Sequence, residues 1–186
     1  EQQSGIRPVF GGYHTTQGTK NAVVNLGKTS YLEFLAVDEE NHQVPPPRWM
    51  GVDLITTPKI TRWSLKSSDL KKDSEVLKKY NEDLGVVKGG QRKMTNGKLL
   101  TWEMAMPLAE PAVELIPFLT DWQHSDAHPS DQLPEQCSLL RISATHPNSD
   151  SLYPVLNHFY PELDIAQADQ VSLSIDIQTP NGVVHL

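Results

Sequence analysis

The feature that most constrains this chain is a stretch that occurs twice. EQQSGIRPVFGGYHTTQGTKNAVV, from Glu1, can be laid on KYNEDLGVVKGGQRKMTNGKLLTW, from Lys79. Each copy reads as a helix end, then Gly plus a β-branched residue (Gly5-Ile6, Gly85-Val86), then a Gly-Gly pair (Gly11-Gly12, Gly89-Gly90). A polar turn with glycine (Gly18, Gly97) and a strand follow. The spacings differ by a residue or two, which loops tolerate. The second copy is preceded by a strand and a helix, whereas the first begins inside its helix. The simplest unit is therefore strand-helix-strand-strand-strand, used twice, with the opening strand of the first copy absent. A unit of this size cannot bury its sheet face alone and needs a partner.

The rest of the chain fits that unit. NAVVNLG and SYLEFLAVD, on either side of Gly27-Lys28-Thr29-Ser30, predict a hairpin. QVPPPRWMG cannot be helix or central strand and acts as a connector. ITRWSLKS predicts a strand. In SDLKKDSEVLKKYNEDLG, the spacing of Leu70, Val76, Leu77, Tyr80 and Leu84 fits one helix face, with Gly85 as the stop. KLLTWEMAMP and AVELIPFLTDW are further strands. From Cys137 onward, CSLLRISATHP reads as a strand and SDSLYPVLNHFY as a short helix with Pro154 in its first turn. DQVSLSIDIQTPNGVVHL closes as a hairpin across Pro180-Asn181-Gly182. The expected organisation is a first module over 1–44, a proline-rich connector over 45–59, a second module over 60–136 and a strand-helix-hairpin extension over 137–186, all one compact domain.

Composition bounds the function. A net charge of −7 argues against nucleic acid or an anionic membrane surface as partner. No apolar run is long enough to span a bilayer. The single Cys137 excludes an internal disulfide and fits a reducing compartment, so the cytoplasm is the expected location. No Gly-x-Ser-x-Gly elbow or phosphate-cradling glycine loop is present.

The repeat resembles the vicinal oxygen chelate superfamily (glyoxalase, bleomycin resistance and dihydroxybiphenyl dioxygenase proteins), and within it the glyoxalase-like domain proteins. The resemblance rests on Gly11-Gly12-Tyr13-His14, the Gly18-Thr19-Lys20-Asn21-Ala22 turn and the Tyr31-Leu32-Glu33-Phe34 strand. It continues through Gly89-Gly90-Gln91-Arg92, Leu100-Thr101-Trp102 and Ile116-Pro117-Phe118-Leu119-Thr120-Asp121-Trp122, followed by His128-Pro129. It implies an α+β fold of paired βαβββ modules whose curved sheets form a half-open cup. In many members the cup holds a divalent metal that chelates vicinal oxygens of a substrate.

Glu33 is the sharpest candidate residue. An ionised carboxylate in an apolar strand is costly unless compensated. Alternation puts Tyr31, Glu33 and Leu35 on one face and Leu32, Phe34 and Ala36 on the other. Glu33 thus either pairs or meets solvent at a sheet margin, or faces the cup. The resemblance implies the second, because the last strand of a module typically supplies a Glu metal ligand. The same resemblance places a first His on the opening strand of module one, which is missing. On the opening strand of module two, Arg62 and Trp63 stand where a His is expected. The last strand of module two offers Glu114 and Asp121. The dense cluster Asp121, His124, Asp126, His128 has no closed-site spacing and reads as a polar loop. His128-Pro129 matches the family's loop motif, which ranks His128 above His124. The candidate metal set is Glu33, Asp121 and His128, for Zn, Ni, Fe, Mn or Mg.

Other residues complete the candidate site. His14 follows a glycine pair and suits a base or donor near neutral pH; the rival account is an exposed turn histidine. Asn21 serves the pocket or bonds its own turn. Arg92, the second-copy counterpart of His14, could hold a carboxylate bidentately or lie in solvent. Trp102, Phe118 and Trp122 form an apolar wall or plain core. The implied activity is a metal-dependent lyase, isomerase or dioxygenase acting on a small oxygenated molecule, with His14 and Glu33 as catalytic residues. The alternative is a metal-free binding module, which Arg62 and Trp63 favour. Modules of this kind also pair across sheet edges, so a homodimer is a further expectation.

Overall fold

The computed structural model describes residues 2–186 except 28, 94–97, 123, 124, 126, 127 and 132, and describes the backbone alone at 92 and 93. The first sheet is an antiparallel meander of β1 (Val9–His14), β2 (Thr19–Asn25) and β3 (Tyr31–Val37). The second runs β4 (Ser64–Lys66), α1 (Leu70–Tyr80), β5 (Val87–Lys93), β6 (Leu99–Ala105) and β7 (Phe118–Asp121) along the chain. Its strand order is β4-β7-β6-β5, with β4 parallel to β7. This is a complete βαβββ module, and the first sheet repeats its last three strands. Both sheets are open rather than closed.

The two meanders pair their strands in corresponding registers. Gly12 lies opposite Asn21 as Gly90 lies opposite Trp102. Val23 lies opposite Glu33 as Met104 lies opposite Thr120. Positions Asn21, Val23, Tyr31 and Glu33 of the first sheet therefore correspond to Trp102, Met104, Phe118 and Thr120 of the second. The glycine pairs explain a close approach in each. A Cβ at Gly11 would sit 2.3 Å from Asn21 Oδ1, and one at Gly90 would sit 2.5 Å from Trp102 Cε2. Each glycine leaves room for a side chain of the neighbouring strand to lie over its backbone.

The third sheet comprises β8 (Ser138–His146), β9 (Asp164–Gln167), β10 (Ser172–Thr179) and β11 (Gly182–His185), with α2 (Tyr153–Phe159) between β8 and β9. Its order is β11-β10-β8-β9, and β9 pairs parallel to β8. The sequence predicts a strand, a helix and a hairpin here; β9 is the addition. α1 and α2 pack with the second and third sheets around Leu77, Leu84, Ala105, Leu119, Leu156 and Leu173. The first sheet joins this body through Leu26 against Ile175 and Ile177.

Three further expectations change. Residues 2–4 form a turn, not a helix end. α1 stops at Tyr80 because Asn81 is extended; the Asn81 side chain accepts from the Asp83 N–H at 3.0 Å and starts a separate 3-10 turn over Glu82–Gly85. The opening and closing strands of the second module are also shorter than their apolar runs. Among the described residues, no helix is long and apolar enough to cross a membrane.

Candidate functional site

The inner faces of the first two sheets enclose a narrow cavity of about 50 Å³. From the first sheet come His14, Asn21, Val23, Tyr31 and Glu33; from the second come Leu100, Trp102, Met104, Phe118 and Thr120. Trp49, Trp122 and Pro129 complete the lining. The lining is thus built from the corresponding positions of the two meanders, with polar groups on one wall and aromatic groups on the other.

On the polar wall, the Asn21 Nδ2 amide donates to Glu33 Oε1 at 2.7 Å. His14 Nδ1 pairs with Thr19 Oγ1 at 3.0 Å, which orients the ring so that Nε2 lies 4.0 Å from Glu33 Oε1. The His14 side chain is 12% exposed and that of Glu33 30%. A carboxylate and an imidazole held side by side at the mouth of an apolar hollow can accept and donate protons. Across the cavity, the Trp102 and Trp122 rings lie 5.6 Å apart, and Phe118 stands beside them in the lining.

The other candidates among the described residues lie elsewhere. Asp121 shares its side of β7 with Leu119, so alternation turns it away from the face that Phe118 and Thr120 give to the cavity. His128 stands edge-on to Tyr31 at 5.7 Å and to Trp122 at 5.6 Å, behind the lining, with Nδ1 2.7 Å from Ser130 Oγ. Burial holds its pKa below the ordinary histidine value; Asp131 works against this and Lys66 adds to it. Arg92 lies opposite Leu100 as His14 lies opposite Thr19, but its side chain is outside the described residues, as are His124 and Asp126. Glu114 accepts from the Ile116 N–H at 2.9 Å, outside the cavity.

Arg62 and Trp63 are structural. The Arg62 guanidinium donates to the carbonyls of Thr61, Leu108, Glu110 and Ala112, tying down the 108–112 segment. The Trp63 indole donates to the Leu115 carbonyl at 2.8 Å. The position on β7 that corresponds to Glu33 is Thr120, whose hydroxyl lies 3.0 Å from that of Ser64 on β4.

This donor set bears on a metal. Among the described residues, no three His, Cys, Asp or Glu side chains converge. In the cavity lining, the described donors of this kind are Glu33 and His14, and two protein donors do not make a closed site for a divalent ion. The described residues do not by themselves fit a resident metal. Sequence reasoning missed Trp49, because a proline-rich connector gives no periodicity from which to read a side chain's direction.

The family model of the glyoxalase-like domain matches residues 1–159, spanning both meanders and the cavity between them. The chain belongs to that family. The glyoxalase-like domain is part of the vicinal oxygen chelate superfamily, whose members often bind a metal. The match ends with α2, so β9, β10 and β11 lie beyond it. No curated protein and no solved structure matches the chain.

Proposed function

We propose that this glyoxalase-like protein is an enzyme that moves a proton on a small α-oxygenated carbonyl compound bound in the cavity. The observation that carries the reading is the His14–Glu33 pair, 4.0 Å apart, facing an aromatic wall. Glu33 takes the proton from the carbon between hydroxyl and carbonyl, leaving an enediolate, and returns the proton to carbon. Asn21 fixes the carboxylate, and His14 supplies the hydrogen bond that stabilises charge on the ligand oxygen. Trp102, Phe118 and Trp122 exclude water and strengthen these interactions. The small hollow suits a ligand of few heavy atoms, below the size of typical drug pockets.

A metal would supply Lewis-acid polarisation, as the family resemblance implies, but the reading uses only the chain's own groups. Hydroxyacetone in D2O tests it. The wild type exchanges the C–H protons next to the carbonyl, and Glu33→Gln slows this by about 100-fold or more. Equal rates in the two proteins would contradict the reading. A second reading is a binding module without chemistry, favoured by Thr120 standing where a second carboxylate would be. Hydroxyacetone binding without exchange would mark it.

A further inference from the structure

Trp49 lies in the connector, yet its side chain lines the cavity and meets the His14 ring edge-on at 5.2 Å. Its indole Nε1–H is buried and has no acceptor among the described residues. A buried donor without an acceptor destabilises a fold and calls for a cause. The backbone carrying it is also costly. Met50 takes φ 57° and ψ 19°, a left-handed conformation that a side chain resists, and Gly51 follows at φ 62°.

This kink is held from both sides. The Gly51 N–H donates to the Arg48 carbonyl at 2.8 Å, and the Arg48 N–H donates to Asp53 Oδ1 at 2.8 Å. Gly51 is pressed against the 109–111 segment, where a Cβ would come within 2.7 Å of Pro111 N. The connector is thereby fixed so that one indole stands over the polar wall of the cavity. Strained backbone held this firmly beside a cavity is characteristic of sites where a ligand contact is preorganised.

We propose that the Trp49 indole N–H is a ligand-binding donor, which hydrogen-bonds the carbonyl oxygen of the molecule that Glu33 engages. This rests on the reading of the cavity as the substrate site. An indole N–H can only donate, and an ionised carboxylate can only accept. The pair selects a ligand that offers a donor at one end and an acceptor at the other, as a hydroxy-ketone does. Analogues with a methylene in place of the carbonyl leave the indole unpaired and are rejected. The connector is then part of the site, and its strain sets where the ligand oxygen lies.

The chain has four tryptophans, so an amide-correlation NMR spectrum contains four indole N–H signals. The Trp49 signal is identified by its loss in Trp49→Phe, or by sequential assignment of the wild type should that variant not fold. On titration with hydroxyacetone, that signal moves downfield as the hydrogen bond forms. Trp49→Phe, which keeps an aromatic ring against His14, binds hydroxyacetone about tenfold more weakly. A stationary Trp49 signal, or unchanged affinity in Trp49→Phe, overturns the proposal while Glu33→Gln still slows C–H exchange. If wild type binds no hydroxyacetone, or Glu33→Gln exchanges as fast as wild type does, the site reading has failed and the proposal fails with it.

Discussion

Gly11 and Gly90 play one role on two sheets: each lets a neighbouring side chain lie over a strand, Asn21 in one case and Trp102 in the other. Gly11→Ala must push Asn21 off its bond to Glu33. We expect a loss of about 1–3 kcal/mol in urea unfolding, the range for disturbing a buried polar pair; an unchanged midpoint would show that Asn21 relaxes freely. His128 gives a pH prediction. Burial lowers its folded pKa below the unfolded value, so below about pH 6.5 the unfolded chain binds more protons. Its contribution is present above that value and is lost as pH falls through the folded pKa. The melting temperature should drop on acidification, and His128→Gln should flatten that part of the profile. At this scale the sequence was informative about Glu33, because a charge in an alternating apolar strand leaves few options. It was silent on Trp49, whose direction is set by the Met50–Gly51 kink and contacts 60 residues away in the chain.

The elements that periodicity describes well are those packed on one face. α1 buries Leu70, Ser74 and Leu77 and exposes its lysines, as a 3.6-residue repeat requires. Leu77 is fully buried, so Leu77→Ala should cost about 2–5 kcal/mol by chemical denaturation; a cost below 1 kcal/mol would mean that α1 does not hold the second sheet. Where periodicity is weak the reading fell short. β9 has four residues and a single half-buried apolar one, Ile165, which leaves no alternation to detect. Ser4-Gly5 resembles a helix stop, but the residues before it form only a turn. The two meanders also differ on their outer faces. α1 covers that of the second sheet, whereas Phe10, Tyr13 and Phe34 on the first remain exposed.

At the scale of the molecule, the third sheet buttresses both meanders. The Cys137 thiol meets the Asn25 carbonyl at 2.8 Å, the Leu139 N–H donates to the Leu26 carbonyl at 3.1 Å, and Ile175 and Ile177 pack on Leu26. The chain should therefore unfold in one step, with tryptophan fluorescence and far-ultraviolet dichroism changing together in urea; separate midpoints would show the third sheet to be independent. The duplicated architecture was legible because its glycines and strands recur in order, while the cavity's character follows from register, which a single chain of letters does not display. We propose that corresponding positions of the two meanders form one ligand site. The most direct test is a backbone amide map of the wild type titrated with hydroxyacetone. Shifts are expected on both walls, at His14, Asn21 and Glu33 and at Trp102, Phe118 and Thr120 together. Shifts confined to one sheet, or centred on the surface hollow at Asp38–Gln43, would contradict it.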